Sequence, residues 1–377
     1  MKIAEVISDT NIGGAGRLLV ERLEMSRGSD GEIFVLLPRG SELAPRIKET
    51  GAKVIEFEGC RDRSLDLRAI FKLRDIIGEL RPDVLNAHGA MSARIAAYLA
   101  GVPVRIYTRH CTYPVPLVFR TFPIKWALGR IGTALSPHAI AVADVAADDL
   151  VAMGYPRDRI RVIINGVRGL RRYSEDKRRA LRAEHGIDGH FVVGICARVE
   201  KCKDHETFLR AAKLLSVDDR YRFLIVGGGS QLSAMRSLAE HLGIADRVVF
   251  TGFTDDVERL FNCFDLNVNC SVGTETSSLA LSEGMSIGLP AVASSYGGNP
   301  YMVRDGENGF IYKLRSSEEL AAKISRIAED RDLYDRMSEA AYRRFATELN
   351  SRKMTSETLD FYLELHLEQE STVAAKE

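Results

Sequence analysis

A chain of 377 residues exceeds the size at which one hydrophobic core keeps growing, so two domains of about 150 to 200 residues are expected. An apolar content of 45%, a charged content of 28% and a formal net charge of zero exclude a disordered tail and a polyanion binder, so no nucleic-acid partner is expected. The first strand-like run starts at Met1 with no basic or apolar leader before it, and no apolar run approaches the roughly 18 residues of a membrane span. The six cysteines (60, 111, 196, 202, 263 and 270) follow no Cys-x-x-Cys pattern and read as buried, reduced thiols of a cytoplasmic protein.

In chain order, the first half alternates short β-rich runs with helical patterns. The runs are Ile3–Ser8, Glu32–Leu37, Lys53–Phe57, Val84–His88, Val104–His110, Ile140–Asp144 and Arg161–Asn165, and helices fit between them at Arg17–Met25, Leu65–Leu80 and Ser92–Ala100. The runs are apolar almost throughout, which predicts strands buried on both faces of a parallel, helix-covered sheet. The second half repeats the scheme with Phe191–Arg198, Phe223–Gly227, Val248–Thr251, Leu266–Cys270, Ala291–Ser294 and Gly309–Tyr312. Two doubly wound α/β domains are therefore expected, residues 1–167 and 168–350, and the helix over 351–377 is expected to pack back on the first. The junction falls in a basic stretch from Gly166 to Ile187 that holds Arg168, Arg171, Arg172, Lys177, Arg178, Arg179 and Arg182. Ligands of such sheets bind beyond the carboxyl ends of the strands, where strand order reverses.

The stretch from Ser271 to Gly309 is the most informative. Glu275 and Glu283 stand eight positions apart, a rise of about 12 Å if helical, beyond the roughly 5 to 9.5 Å of a glycosidase acid/base pair. They suit two ends of one elongated ligand. Ser277 and Ser278 are N-cap residues for a helix from Leu279 to Ser286, whose free amides and dipole suit a phosphate. A nucleotide-sugar fits this pattern, with ribose and hexose on either side of a diphosphate.

With these residues on the page, the chain resembles the retaining glycosyltransferases of family four, whose donor motif is a glutamate, seven residues and a second glutamate. The motif here is Glu275 to Glu283, followed by Gly288-Leu289-Pro290 and the turn from Asp305-Gly306 to Gly309. The resemblance covers nearly the whole chain and implies the GT-B fold, two Rossmann-like domains facing a cleft, the first binding acceptor and the second donor. It implies that Glu283 holds the ribose hydroxyls, that Glu275 contacts the sugar ring, and that Arg198 and Lys203 clasp the diphosphate, whose charge grows as the glycosidic bond breaks. Gly13 and Gly14, in the turn after the first strand, would face the donor phosphates, and His110 the transferred sugar, with His88 a further family position. Gly227 of the Gly-Gly-Gly-Ser turn would line the nucleotide site, with Val248 and Phe253 in the stretch that holds the base.

Some positions depart from the pattern. Thr276-Ser277-Ser278 replaces the common Gly-Phe-Gly, Asp204 follows Lys203 in place of glycine and is expected to cap the next helix, and Gly16 stands where the family often has glutamate. The implied function is transfer of a hexose-type sugar, with a UDP-sugar favoured, to an acceptor hydroxyl with retention, in cell-envelope or surface glycan synthesis. No cofactor is required, and the acceptor is a glycan or a lipid-linked sugar. Tyr113–Arg130 and the basic linker together suggest a peripheral contact with an anionic membrane at the cytoplasmic face. Two other readings stay open: a catalytically silent nucleotide-sugar-binding scaffold, marked by binding without turnover, and a GT-B sugar-nucleotide epimerase, marked by donor chemistry without acceptor.

Overall fold

The computed structural model describes residues 1–28, 31–112 and 115–375, so Tyr113 and Pro114 of the aromatic segment lie outside the described residues. The chain divides into two compact units, Met1–Gly166 with Ser351–Glu377, and Val167–Asn350.

The first unit carries a seven-stranded sheet of β1 (Lys2–Ile7), β2 (Glu32–Pro38), β3 (Lys53–Phe57), β4 (Val84–His88), β5 (Val104–Arg109), β6 (His138–Ala141) and β7 (Ile160–Val162). Its order is β3-β2-β1-β4-β5-β6-β7 and every pairing is parallel. The burial pattern explains the continuous apolar runs. On β2, Leu36 packs with Ala4, Val6, Leu73 and Ala93 on one face, while Val35 and Leu37 pack with Leu19, Leu23, Leu43 and Ile47 on the other. The long last helix, Ser351–Ala374, belongs to this unit and lies beside the helix Gly14–Met25.

The second unit holds β8 (Phe191–Cys196), β9 (Tyr221–Val226), β10 (Val248–Gly252), β11 (Leu266–Asn269), β12 (Ala291–Ser294) and β13 (Gly309–Tyr312). Its order is β10-β9-β8-β11-β12-β13, again all parallel. Strand order reverses between β1 and β4 in one unit and between β8 and β11 in the other, so each unit has one crevice at the carboxyl ends of its strands.

The basic stretch is not a bare linker. Residues Glu175–Glu184 form a helix of the second unit, and two of its cations turn inward. Arg178 donates to the Asn262 and Phe264 carbonyls, and Arg182 donates to the Cys263 carbonyl and lies 2.7 Å from Asp265. Cys60, Cys263 and Cys270 are buried as expected, but Cys111 is exposed, because it follows the end of β5 and leaves the sheet. Among the described residues, no helix is long and apolar enough to cross a membrane.

Candidate active site

In the second unit, the loops after β8 and β11 meet. After β11 the chain turns through Thr274, a non-glycine residue with φ of +57°, and delivers Glu275 into the interior, where it is 6% exposed. One carboxylate oxygen, Oε2, takes three contacts. Lys203 Nζ lies 2.7 Å away, Ser271 Oγ donates at 2.7 Å and Asn269 Nδ2 at 3.2 Å, and Lys203 Nζ also reaches Ser271 Oγ at 3.3 Å. Burial pushes the Glu275 carboxyl up, but the Lys203 ammonium and the hydrogen bonds outweigh it, and the group is held below the usual carboxylate range.

Asn269 also donates to Ser278 Oγ, which caps the helix Leu279–Ser286 by accepting from the Leu281 amide. The amides of the first turn, Leu279 and Ala280, have no acceptor within the helix. Beside them, Ser277 Oγ is buried and has no hydrogen-bond partner among the described residues. A buried hydroxyl and open amides at one helix start suit an anion. Glu283, 2% exposed, lies further along the same helix.

Close packing holds this arrangement. A Cβ on Gly297 would lie 2.1 Å from the Glu275 carbonyl oxygen, and one on Gly298 would lie 1.4 Å from that of Thr276. Only glycine lets that turn support the Glu275 loop. Asn269, Ser271, Gly297 and Gly298 were missed from the sequence, although the Gly-Gly pair three residues after β12 was a visible signal.

Lys203 and Arg198 follow β8 on one loop. Arg198 is exposed at the strand end. Its neighbour Glu200 accepts from the Ser230 hydroxyl and amide, and those bonds together with Arg198 hold its carboxyl low. Asp204 caps the helix His205–Leu215 through the Thr207 amide and hydroxyl. The Gly227–Gly229 turn packs on this same loop, since Cβ atoms on Gly227 and Gly229 would lie 2.1 and 2.4 Å from the Ala197 and Val199 carbonyl oxygens. Phe253, 78% exposed, follows β10 and touches the space above Gly228. Val248 is not brought to this edge. It opens β10 at the amino end and packs into the hydrophobic core, because the strand carries its ligand-facing edge at the opposite end.

In the first unit, Gly13 caps and Gly14 begins the helix after β1, while Gly16 is pressed against Leu43, where a Cβ would lie 2.7 Å from both methyl carbons. A glutamate has no room there, and Arg17 pairs with Glu21 at 3.2 Å. His88 ends β4, His110 follows β5, and the two rings join through His88 Nδ1 and His110 Nε2 at 2.8 Å. Behind them stands Glu5 of β1, fully buried and invisible to the motif reading. It pairs with Arg22 at 2.5 Å and His88 Nε2 at 2.8 Å, and accepts from Tyr362 of the last helix at 3.0 Å. Burial raises the Glu5 carboxyl, but Arg22 and His88 prevail and bring it down to about 2. Burial, with the charges of His88 and Arg22, lowers His110 to about 3. Among the described residues, no group of three or more His, Cys, Asp or Glu side chains is arranged to hold a metal ion.

Residues 12–168 match the family model of Glycosyltransferase Family 4, and residues 177–344 match that of Glycosyl transferases group 1. The chain is 25% identical over 305 residues to the N-acetyl-alpha-D-glucosaminyl L-malate synthase of Bacillus anthracis, covering 80% of this chain and 79% of that one. It is 22% identical over 387 residues to the UDP-Gal:alpha-D-GlcNAc-diphosphoundecaprenol alpha-1,3-galactosyltransferase of Escherichia coli, covering 97% of each. The fold superposes on Anabaena Alr3699/HepE, crystallised in complex with UDP, with a TM-score of 0.82 at 20% identity, over 97% of this chain and 100% of that one. With matched models over both halves and two parallel Rossmann-like sheets, the chain belongs to the family four glycosyltransferases and is a hexosyltransferase of GT-B fold.

Proposed function

We propose that the chain moves a hexose from a UDP-sugar to a glycan or lipid-linked acceptor hydroxyl, with retention at the anomeric carbon. One observation carries the donor side: the buried Ser277 hydroxyl and the capped helix start at Leu279 adjoin the Lys203–Glu275 pair. In this reading the Leu279 amide, Ser277, Ser278, Arg198 and Lys203 take the diphosphate and Glu283 takes the ribose, while the turn of Gly13 and Gly14 keeps the phosphate-facing role that the family resemblance implies. Gly227 and Phe253 border the base and Glu275 meets the sugar, and His110 keeps the sugar-binding role that the family resemblance implies. The acceptor hydroxyl attacks the anomeric carbon on the face that the diphosphate leaves. The electron pair of the broken bond goes to the diphosphate, one of whose oxygens takes the hydroxyl proton. Fixed cations and amides lower this barrier by stabilising the charge that develops. The Escherichia coli relative, named for a UDP-galactose donor and a diphosphoundecaprenol acceptor, supports a lipid-linked acceptor.

A peripheral membrane contact belongs to the same reading. Leu117, Phe122 and Trp126 are 79%, 83% and 62% exposed, beside Arg120, Lys125 and Arg130. Exposed apolar and cationic side chains on one short segment match an anionic bilayer surface. The donor is tested by a thermal-shift screen of nucleoside diphosphate-sugars, since a ligand of the native state raises its melting temperature. Stabilisation by a UDP-sugar above all others is expected; stabilisation by another nucleotide's sugars alone would remove the UDP assignment.

A further inference from the structure

Asn269 ends β11 in the second unit, and its one side-chain amide holds two groups of the candidate site. The amide can sit only one way round. The Ser271 backbone N–H donates to Oδ1 at 2.9 Å, and an N–H cannot accept, so the carbonyl oxygen lies at that end. Asn299, fully buried and itself bonded to Ser294 Oγ at 3.1 Å, donates to the same Oδ1 at 3.4 Å. The two N–H groups of Nδ2 therefore face the other way, one toward Glu275 Oε2 at 3.2 Å and one toward Ser278 Oγ at 2.9 Å. A hydroxyl has two acceptor lone pairs and one proton. Ser278 Oγ accepts from Asn269 and from the Leu281 amide at 3.3 Å, and no group among the described residues takes its proton. Both lone pairs are filled from inside the fold, so the proton points away from Asn269 and away from the helix.

We infer that Asn269 is a positioning residue that aims the Ser278 hydroxyl proton at a phosphate oxygen of the bound donor. The inference rests on the donor reading of this site and adds to it a strand residue that touches neither phosphate nor sugar. The same amide binds Glu275, whose Oε2 takes Lys203, Ser271 and Asn269 while its Oε1 takes no hydrogen bond from the described residues. One side chain thus ties the phosphate end of the site to the sugar end. The direction of the Ser278 proton depends on Nδ2 being a donor. A carboxylate in that place offers only lone pairs, so the Ser278 proton would turn inward to it and a lone pair would face the phosphate instead.

The test is a double-mutant cycle on UDP affinity, measured by calorimetry on the full-length wild type, Asn269→Asp, Ser278→Ala and the double variant. Asn269→Asp keeps the shape of the side chain and replaces both donors by an acceptor. It should weaken UDP roughly 10- to 100-fold, the worth of a hydrogen bond to a charged group together with the added negative charge. Ser278→Ala should weaken UDP about 10-fold. In the Ser278→Ala background the loss caused by Asn269→Asp should be about 10-fold smaller, because the proton that it redirects is already gone. Uridine, which has no phosphate, should bind all four proteins alike when followed by ligand NMR, whereas a general distortion of the site would weaken it too. If the new carboxylate beside Glu275 prevents folding, Glu275→Gln is added to all four proteins to remove the repulsion, and the same cycle is expected. Equal losses in both backgrounds, an unchanged UDP affinity in Ser278→Ala, or a parallel loss of uridine affinity overturns the inference. A wild type that does not bind UDP overturns the donor reading, whereas wild-type binding with additive variants overturns this inference alone.

Discussion

Lys203 and Glu275 stand 72 positions apart in the chain and form an ion pair whose side chains are 20% and 8% exposed. Such a pair is a constraint more than a source of stability, because removing one partner strands the other in a dry site. Lys203→Ala leaves Glu275 with only Ser271 and Asn269, and should lower stability by about 3 kcal/mol. The Lys203→Ala/Glu275→Gln double variant should recover part of that loss. Urea melts of the wild type and both variants check this, and a double variant no more stable than the single one would disprove the coupling.

Glu275→Gln keeps the shape of the site and removes the charge facing Lys203. Sugar transfer should fall roughly 100-fold. Binding of the nucleoside diphosphate should persist, since its phosphates are assigned to the amides and cations. Calorimetry with UDP beside a transfer assay separates the two; undiminished turnover would remove Glu275 from the reaction.

Acid should destabilise the first unit in two stages. Glu5 falls from an ordinary 4.5 to about 2 on folding, so the unfolded chain binds the extra proton between those values. Its contribution, about 3 kcal/mol, is complete above pH 4.5 and is lost as pH falls toward 2. His110 falls from 6.5 to about 3, so here too the unfolded chain binds more protons, and stability begins to decline below pH 6.5. Denaturant titrations at pH 7, 5.5, 4 and 2.5 should show progressively lower stability; a flat profile from pH 7 to 4 would contradict the His110 shift, and the absence of a steeper loss below pH 4.5 would contradict that of Glu5.

Two glycines should respond in opposite ways to alanine. Gly298 has no room, and Gly298→Ala must displace the Thr276 carbonyl and with it the Glu275 loop, so activity should be lost. Gly78, inside the helix Leu67–Leu80, has nothing within 4 Å of the new Cβ. Gly78→Ala should add up to about 1 kcal/mol of stability with activity unchanged. Melting curves and transfer rates of the two variants check this.

The exposed segment predicts a separable loss. Phe122→Ser/Trp126→Ser should abolish co-sedimentation with phosphatidylglycerol vesicles while leaving transfer to a water-soluble acceptor intact. Equal sedimentation of variant and wild type would place the membrane contact elsewhere.

The sequence by itself determined the strands, the two parallel sheets and the helix start at Leu279, because these depend on local signals: uninterrupted apolar runs, capping serines and a glutamate pair at fixed spacing. Boundaries shifted slightly, as at β6, which begins at His138 because backbone pairing with Ile106 reaches beyond the apolar run. Tertiary structure alone decided what those signals meet. The Arg178 and Arg182 cations, expected in a basic linker between the domains, are spent on carbonyls and Asp265, and Val248 sits at the opposite end of its strand from the ligand-facing edge. Glu5 carries no local mark of its role, since its partners Arg22, His88 and Tyr362 come from three other elements. A buried carboxylate is tolerable only where distant donors converge on it, and such convergence is a property of the folded chain, not of any window of its sequence.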